Sequence, residues 1–164
     1  VLRARSPCRS DGTASSRQTY SVNGAEKLNS DFADKNLTWE GRKMPKTIMI
    51  VDDAMFMRVT LKNMLNSSGY QVITEACDGE DAVAKYAACR PDLVTMDITM
   101  PRMDGIQACR TIKAGDPSAT IVMCTAMGQK NMVIEALQAG AKDFIVKPFK
   151  PEQVLDKIKK LLGE

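Results

Sequence analysis

The chain has 164 residues, 44% hydrophobic and 26% charged, enough for one domain with a sizeable core plus an appendage. No apolar run approaches the roughly 20 residues of a membrane span, and the stretch from Val1 to Cys8, broken by Arg3 and Arg5, lacks the apolar segment of a secretory signal. Histidine is absent, which excludes Ser-His-Asp hydrolysis, His-ligated zinc and a phosphohistidine on this chain; the net charge of +3 falls wholly within residues 1–43, so the remainder offers no basic stripe for nucleic acid.

Residues 1–43 are rich in Ser, Asn, Asp and Gly, and their few apolar groups, such as Leu37 and Trp39, follow no period. Such a segment buries too little surface to offset its ordering entropy. It reads as a flexible, disordered N-terminal extension, at most with a short helix near residues 29–35. Met44 reads as the start of the native domain, residues 44–164.

From Thr47 the pattern alternates. Strand-like apolar runs cover residues 47–51, 71–74, 93–96, 119–124 and 144–146. Helical patterns lie between them. In the first, Met57, Leu61, Met64 and Leu65 share one face, and in the last Val154, Ile158, Leu161 and Leu162 repeat that spacing. The other helices span about residues 80–89, 106–114 and 130–139. Gly69, Gly115 and Gly140 stand where C′ glycines stand, and Pro151 opens the last helix. The result is a (βα)₅ chain with short links, which predicts an α/β fold with a parallel sheet covered on both faces.

In such sheets ligands bind at the carboxyl ends of the strands. Those ends carry Asp52 and Asp53, Asp97, Thr125, and Lys147 followed by Pro148. Taken singly, an Asp there is a turn former or helix cap, Thr125 a loop hydroxyl and Lys147 a solvated cation. Taken together they outline a site for a cation and a phosphoryl group. Adjacent carboxylates about 4 Å apart repel by roughly 4 kcal/mol, which water, a basic group or a divalent cation must offset. The five cysteines, Cys8, Cys77, Cys89, Cys109 and Cys124, show no C-x-x-C spacing and are odd in number; they read as reduced thiols of a cytoplasmic protein. Of the methionines, Met57, Met64, Met96 and Met123 read as core, and so do Met127 and Met132, although a partner could dock at these two.

Four segments carry a family resemblance: Ile50-Val51-Asp52-Asp53-Ala54-x-Phe56-Met57; Met96-Asp97-Ile98-Thr99-Met100-Pro101-x-Met103-Asp104-Gly105; Met123-Cys124-x-Ala126-Met127-Gly128; and residues 139–149, from Ala139 through Lys147-Pro148-Phe149. Over about residues 46–162 the chain resembles the receiver domains of bacterial response regulators. It is most similar to the single-domain chemotaxis type of Gram-positive bacteria and Thermotoga. The resemblance implies a flavodoxin-like doubly wound sheet of strand order 2-1-3-4-5. It implies that Asp97 accepts a phosphoryl group as an aspartyl phosphate. Mg²⁺, with Mn²⁺ as substitute, would be held by Asp53, Asp97 and the Thr99 backbone carbonyl, and by Asp52 through water. Thr125 and Lys147 would contact phosphoryl oxygens, and the Lys147–Pro148 peptide would be cis. Thr125 and Phe144 would form the switch, which alters residues 129–139 and 142–162; Phe144 lacks the hydroxyl of the tyrosine often found there.

The partners so implied are a CheA-like histidine kinase, the flagellar motor switch protein and a dedicated aspartyl-phosphate phosphatase, with no nucleic acid or membrane, and the chain would act as a monomer. Thr99 and Met127, two residues beyond acceptor and hydroxyl, cannot act as strong bases, so slow hydrolysis is expected. Two other readings stand beside this one. A phosphorelay intermediate would pass its phosphoryl group to a histidine phosphotransfer protein. An Asp-nucleophile metal-dependent phosphatase would need Asp-x-Asp after the first strand, which Asp52-Asp53-Ala54 does not provide.

Overall fold

The computed structural model of the chain describes residues 44–126 and 130–164. Five strands alternate with five helices: β1 Thr47–Val51, α1 Met55–Ser67, β2 Gln71–Ala76, α2 Gly79–Cys89, β3 Leu93–Asp97, α3 Gly105–Gly115, β4 Ile121–Ala126, α4 Lys130–Gln138, β5 Asp143–Lys147 and α5 Pro151–Leu162. The strands form one sheet in the order β2-β1-β3-β4-β5, every pair parallel. This is the expected flavodoxin-like topology. The flexible extension expected over residues 1–43 lies outside the described residues, as does Met127.

The uninterrupted apolar runs follow from burial on both faces. Along β1, Ile48 and Ile50 join one cluster with Leu61, Leu65, Leu93, Val122, Ile145, Val154 and Ile158. Met49 and Val51 join the other, with Val94, Met96, Ile106, Ile112 and Met123. The period of two thus splits each strand between a layer containing α1 and α5 and a layer containing α2, α3 and α4. Among the described residues no helix is long and apolar enough to cross a membrane.

Several expectations need correction. β2 runs two residues past Thr74, because Glu75 sits opposite Ile50 in the sheet and its carboxylate meets Lys62 at 2.8 Å and Arg58 at 3.3 Å. β4 starts at Ile121, not Ala119. Asp116 keeps the preceding residues in a turn, accepting from Ser118 N–H through its carboxylate and from Ala119 N–H through its carbonyl. Gly69 and Gly140 take positive φ after their helices, but Gly115 does not; it is the last residue of α3, capped by extended Asp116. Met96 and Met123 are fully buried, Met57 and Met64 only partly, and Met132 is exposed on α4, so the core reading fails for Met132. Among the described residues Cys77, Cys89, Cys109 and Cys124 are free thiols, the last two buried.

Asp92 pins the start of β1 to the start of β3. It accepts from Thr47 N–H at 2.8 Å, from the Thr47 hydroxyl at 2.7 Å and from Lys46 Nζ at 2.9 Å. The Thr47 amide, the Thr47 hydroxyl and Lys46 outweigh burial and hold its pKa down to about 2, from an ordinary 3.8. A depressed folded-state pKa gives stability that is present above about pH 4 and is lost as pH falls towards 2. With a third of the side chain exposed, solvent screening limits this to about 1 kcal/mol. Asp92→Asn is expected to lower stability at pH 7 by that amount and to flatten the loss between pH 4 and 2, read from urea melts across that window.

Candidate functional site

Parallel strands bring their carboxyl ends to one edge, and the loops there collect every strand-end residue singled out above. Asp52 follows β1 and is 1% exposed. One of its carboxylate oxygens accepts from Ala54 N–H at 2.9 Å, a turn that leads into α1. The other accepts from Lys147 Nζ at 2.7 Å. Asp53 is exposed at the mouth. Arg58, one turn into α1, donates to the carbonyls of Asp52 at 2.8 Å and Asp53 at 3.3 Å. It thereby fixes the backbone of the acidic pair. Sequence reading passed over Arg58; its only signal was a cation four residues past Ala54 on a short first turn.

Asp97 ends β3 and is 7% exposed. Its Oδ1 accepts from Ile98 N–H at 2.9 Å, and its Oδ2 lies 3.0 Å from Lys147 Nζ. Thr125, 2% exposed, lies inside β4 one residue before its end, and its hydroxyl donates to the Ala126 carbonyl at 3.2 Å. Lys147 ends β5, and the Lys147–Pro148 peptide is cis as expected. Thr99 is exposed in the loop two residues past Asp97.

Phe144 stands on β5 three residues before Lys147, half-buried against the core. Lys157 of α5 places its ammonium 5.0 Å from the ring centroid and bonds Asp143 at 2.6 Å.

One oxygen from each of Asp52, Asp53 and Asp97 falls within 4.8 Å of the others. Among the described residues Lys147 supplies the ammonium that pairs with Asp52 and Asp97, and Asp53 adds a third carboxylate, so the cluster keeps surplus negative charge. Burial pushes the Asp97 carboxyl up, against the pull of Lys147, and the Asp52 charge adds to the rise. For Lys147 burial works against the charge, but Asp52 and Asp97 overcome it and raise its pKa. The donors are all hard oxygens with surplus negative charge and one exposed member. That set fits Mg²⁺, which takes oxygen ligands at about 2.0–2.1 Å and keeps several waters; Mn²⁺ accepts the same donors.

Removing Lys147 should therefore make the fold lean on the cation. Lys147→Met is expected to cost about 3 kcal/mol in chelator, since two buried carboxylates lose their partner. Millimolar Mg²⁺ should restore most of it, which paired urea melts would show.

Comparison with known proteins gives a consistent family. Residues 48–159 match the response regulator receiver domain. The chain is 55% identical over 118 residues to the chemotaxis protein CheY of Thermotoga maritima, covering 72% of this chain and 98% of that protein. It is 58% identical over 120 residues to CheY of Bacillus subtilis, covering 73% and 100%. Its fold is similar to a chain of the CheX-CheY-BeF₃-Mg²⁺ complex from Borrelia burgdorferi, with a TM-score of 0.71 at 39% identity over 74% of this chain and 92% of that one.

Proposed function

The chain belongs to the response regulator receiver domain family, and we propose that it is a phosphorylation-activated switch of a chemotaxis system. The observation that carries this reading is the single ammonium of Lys147 joining Asp52 to Asp97 beside exposed Asp53, all at the carboxyl edge of the sheet. The CheY relatives, matched over nearly their whole length, supply the chemotaxis setting. The solved complex, which contains BeF₃ and Mg²⁺, supports a reading in which a chain of this fold takes a phosphoryl-sized group and a magnesium ion.

In this reading the Asp97 carboxylate attacks the phosphorus of a phosphohistidine on a CheA-like kinase. An O–P bond forms, the N–P bond breaks, and the imidazole leaves with the bonding pair. Asp52, Asp53, Asp97 and the Thr99 carbonyl would hold Mg²⁺, which neutralises phosphoryl oxygen charge when bound. Lys147 exchanges its carboxylate contact for a phosphoryl oxygen, which needs only a short displacement of a flexible side chain. Thr125 donates its hydroxyl to another oxygen.

The return step is attack of water on the same phosphorus, breaking the O–P bond and freeing the carboxylate. Thr99 is no base for that water, which favours a persistent phosphoryl group.

Rearrangement of Thr125 would free space for Phe144 to turn inward, altering α4, β5 and α5. Met132, Ile134 and Leu137 of α4 and Val146 of β5 already expose apolar surface there, suited to a partner such as the motor switch protein. Phosphorylation shifts a pre-existing equilibrium between the two arrangements.

The test is acetyl phosphate with Mg²⁺, followed by mapping of the acid-labile label. Label on the peptide that contains Asp97, absent in chelator, supports the reading. Label elsewhere, or none, removes it.

A further inference from the structure

The loop between β3 and α3, residues 98–104, carries Thr99 past the acceptor. It is fastened at both sides. Its base closes where Gly105 N–H donates to the Ile98 carbonyl at 2.9 Å. Its far side rests on the start of α2, where Gly79 N–H donates to the Met103 carbonyl at 3.0 Å. A Cβ on Gly79 would lie 2.5 Å from that carbonyl oxygen, so the contact admits no side chain.

Beside it stands an ion pair that the phosphoryl chemistry does not use. Asp78 caps α2 by accepting from Asp81 N–H at 2.9 Å, and it is 1% exposed. Its other oxygen takes the Arg102 guanidinium and the weak Cys77 thiol. Arg102 belongs to the loop and has φ 64. A left-handed conformation is unfavourable for an arginine, whose Cβ crowds the backbone there. A buried carboxylate and a backbone in a costly conformation thus meet at one bond. A surface arginine meant only for solvation needs neither.

We propose that Arg102 is a positioning residue, and that its bond to Asp78 sets the Mg²⁺ affinity of the site by holding the Thr99 segment in register with Asp97. The proposal rests on the receiver reading above. Mg²⁺ demands near-ideal octahedral geometry, so a ligand on a loosened loop loses affinity steeply. Groups that orient metal ligands without touching the metal commonly change affinity by about 10–100-fold when removed. The ordinary alternative is an ion pair that steadies α2 and has no effect on the metal.

The experiment is calorimetric titration of the full chain with Mg²⁺ alone, beside thermal melts in chelator. Arg102→Asn keeps a residue that tolerates positive φ but cannot reach Asp78. It should weaken Mg²⁺ about tenfold, with a melting temperature within a few degrees of the parent. Arg102→Lys should recover at least half of that loss on a logarithmic scale. An unchanged Kd in Arg102→Asn overturns the proposal, whatever the melting temperature does. A lysine variant as weak as the asparagine one overturns the ion pair as the cause. If the parent itself neither binds Mg²⁺ nor labels on Asp97, the receiver reading falls and this proposal with it. A parent that does both while Arg102→Asn matches it overturns the proposal alone.

Discussion

Asp97→Asn should cut acid-labile phosphate from acetyl phosphate by on the order of 10³-fold or more, leaving the protein folded. The amide keeps the volume of the carboxylate, and its oxygen can still accept from Ile98 N–H as Asp97 Oδ1 does at 2.9 Å. What disappears is the anionic nucleophile. The substitution also removes one of the three clustered carboxylates, and burial already disfavours the charge of Asp97. Melting temperature should therefore hold or rise while labelling vanishes. Urea melts and quantified label on the same preparations would read both. A variant that labels like the parent would place the acceptor elsewhere.

Gly105→Ala is expected to be almost as damaging by a different route. A Cβ at Gly105 would stand 1.9 Å from the Asp97 carbonyl oxygen and 2.9 Å from its carbonyl carbon. Both obstacles are backbone, so no rotamer relieves them. The start of α3 must retreat by about 1 Å or more before the contact becomes tolerable. That retreat strains the Gly105–Ile98 bond and drags the loop that leaves Asp97. Overpacking of this kind costs about 3 kcal/mol. A misplacement of about 1 Å near reacting groups can reduce rate by about 10²-fold. Both losses should appear together, in urea melts and in labelling rate. A variant with parental stability would show that the helix start can move freely.

Much of this was legible in the chain because β-strands that end a parallel sheet end at its binding edge. Asp52, Asp53, Asp97, Thr125 and Lys147 each closed or followed an apolar run, and counting strands placed them at one rim. The strand order and the cis peptide came instead from the family resemblance; periodicity says nothing about either. The strand limits that shifted did so for local polar reasons. The apolar run stopped at Thr74, but Glu75 continues β2 because Arg58 and Lys62 supply partners for its carboxylate. The Asp116 turn held back β4.

Arg58 and Arg102 were missed for a shared reason. Each acts through a long side chain that reaches across to another segment, and sequence spacing records neither the reach nor the target. Gly105 stood out in the chain only as the last residue of a family motif, and only the geometry showed that its missing Cβ is what lets that loop close on Asp97.

The Lys147–Asp52 bond spans 95 residues of chain. Closing so long a loop carries an entropic penalty that grows only as the logarithm of length, yet nothing repays it until β1, β3, β4 and β5 already lie side by side. The rim is thus a late product of folding, assembled from the most distant parts of the domain. A ligand at that rim recognises only the finished sheet, so at concentration [L] it adds RT ln(1 + [L]/Kd) to the native state and nothing to partly folded ones. Magnesium bound at the rim would then act as a standing selector for correctly completed molecules, before any signal arrives.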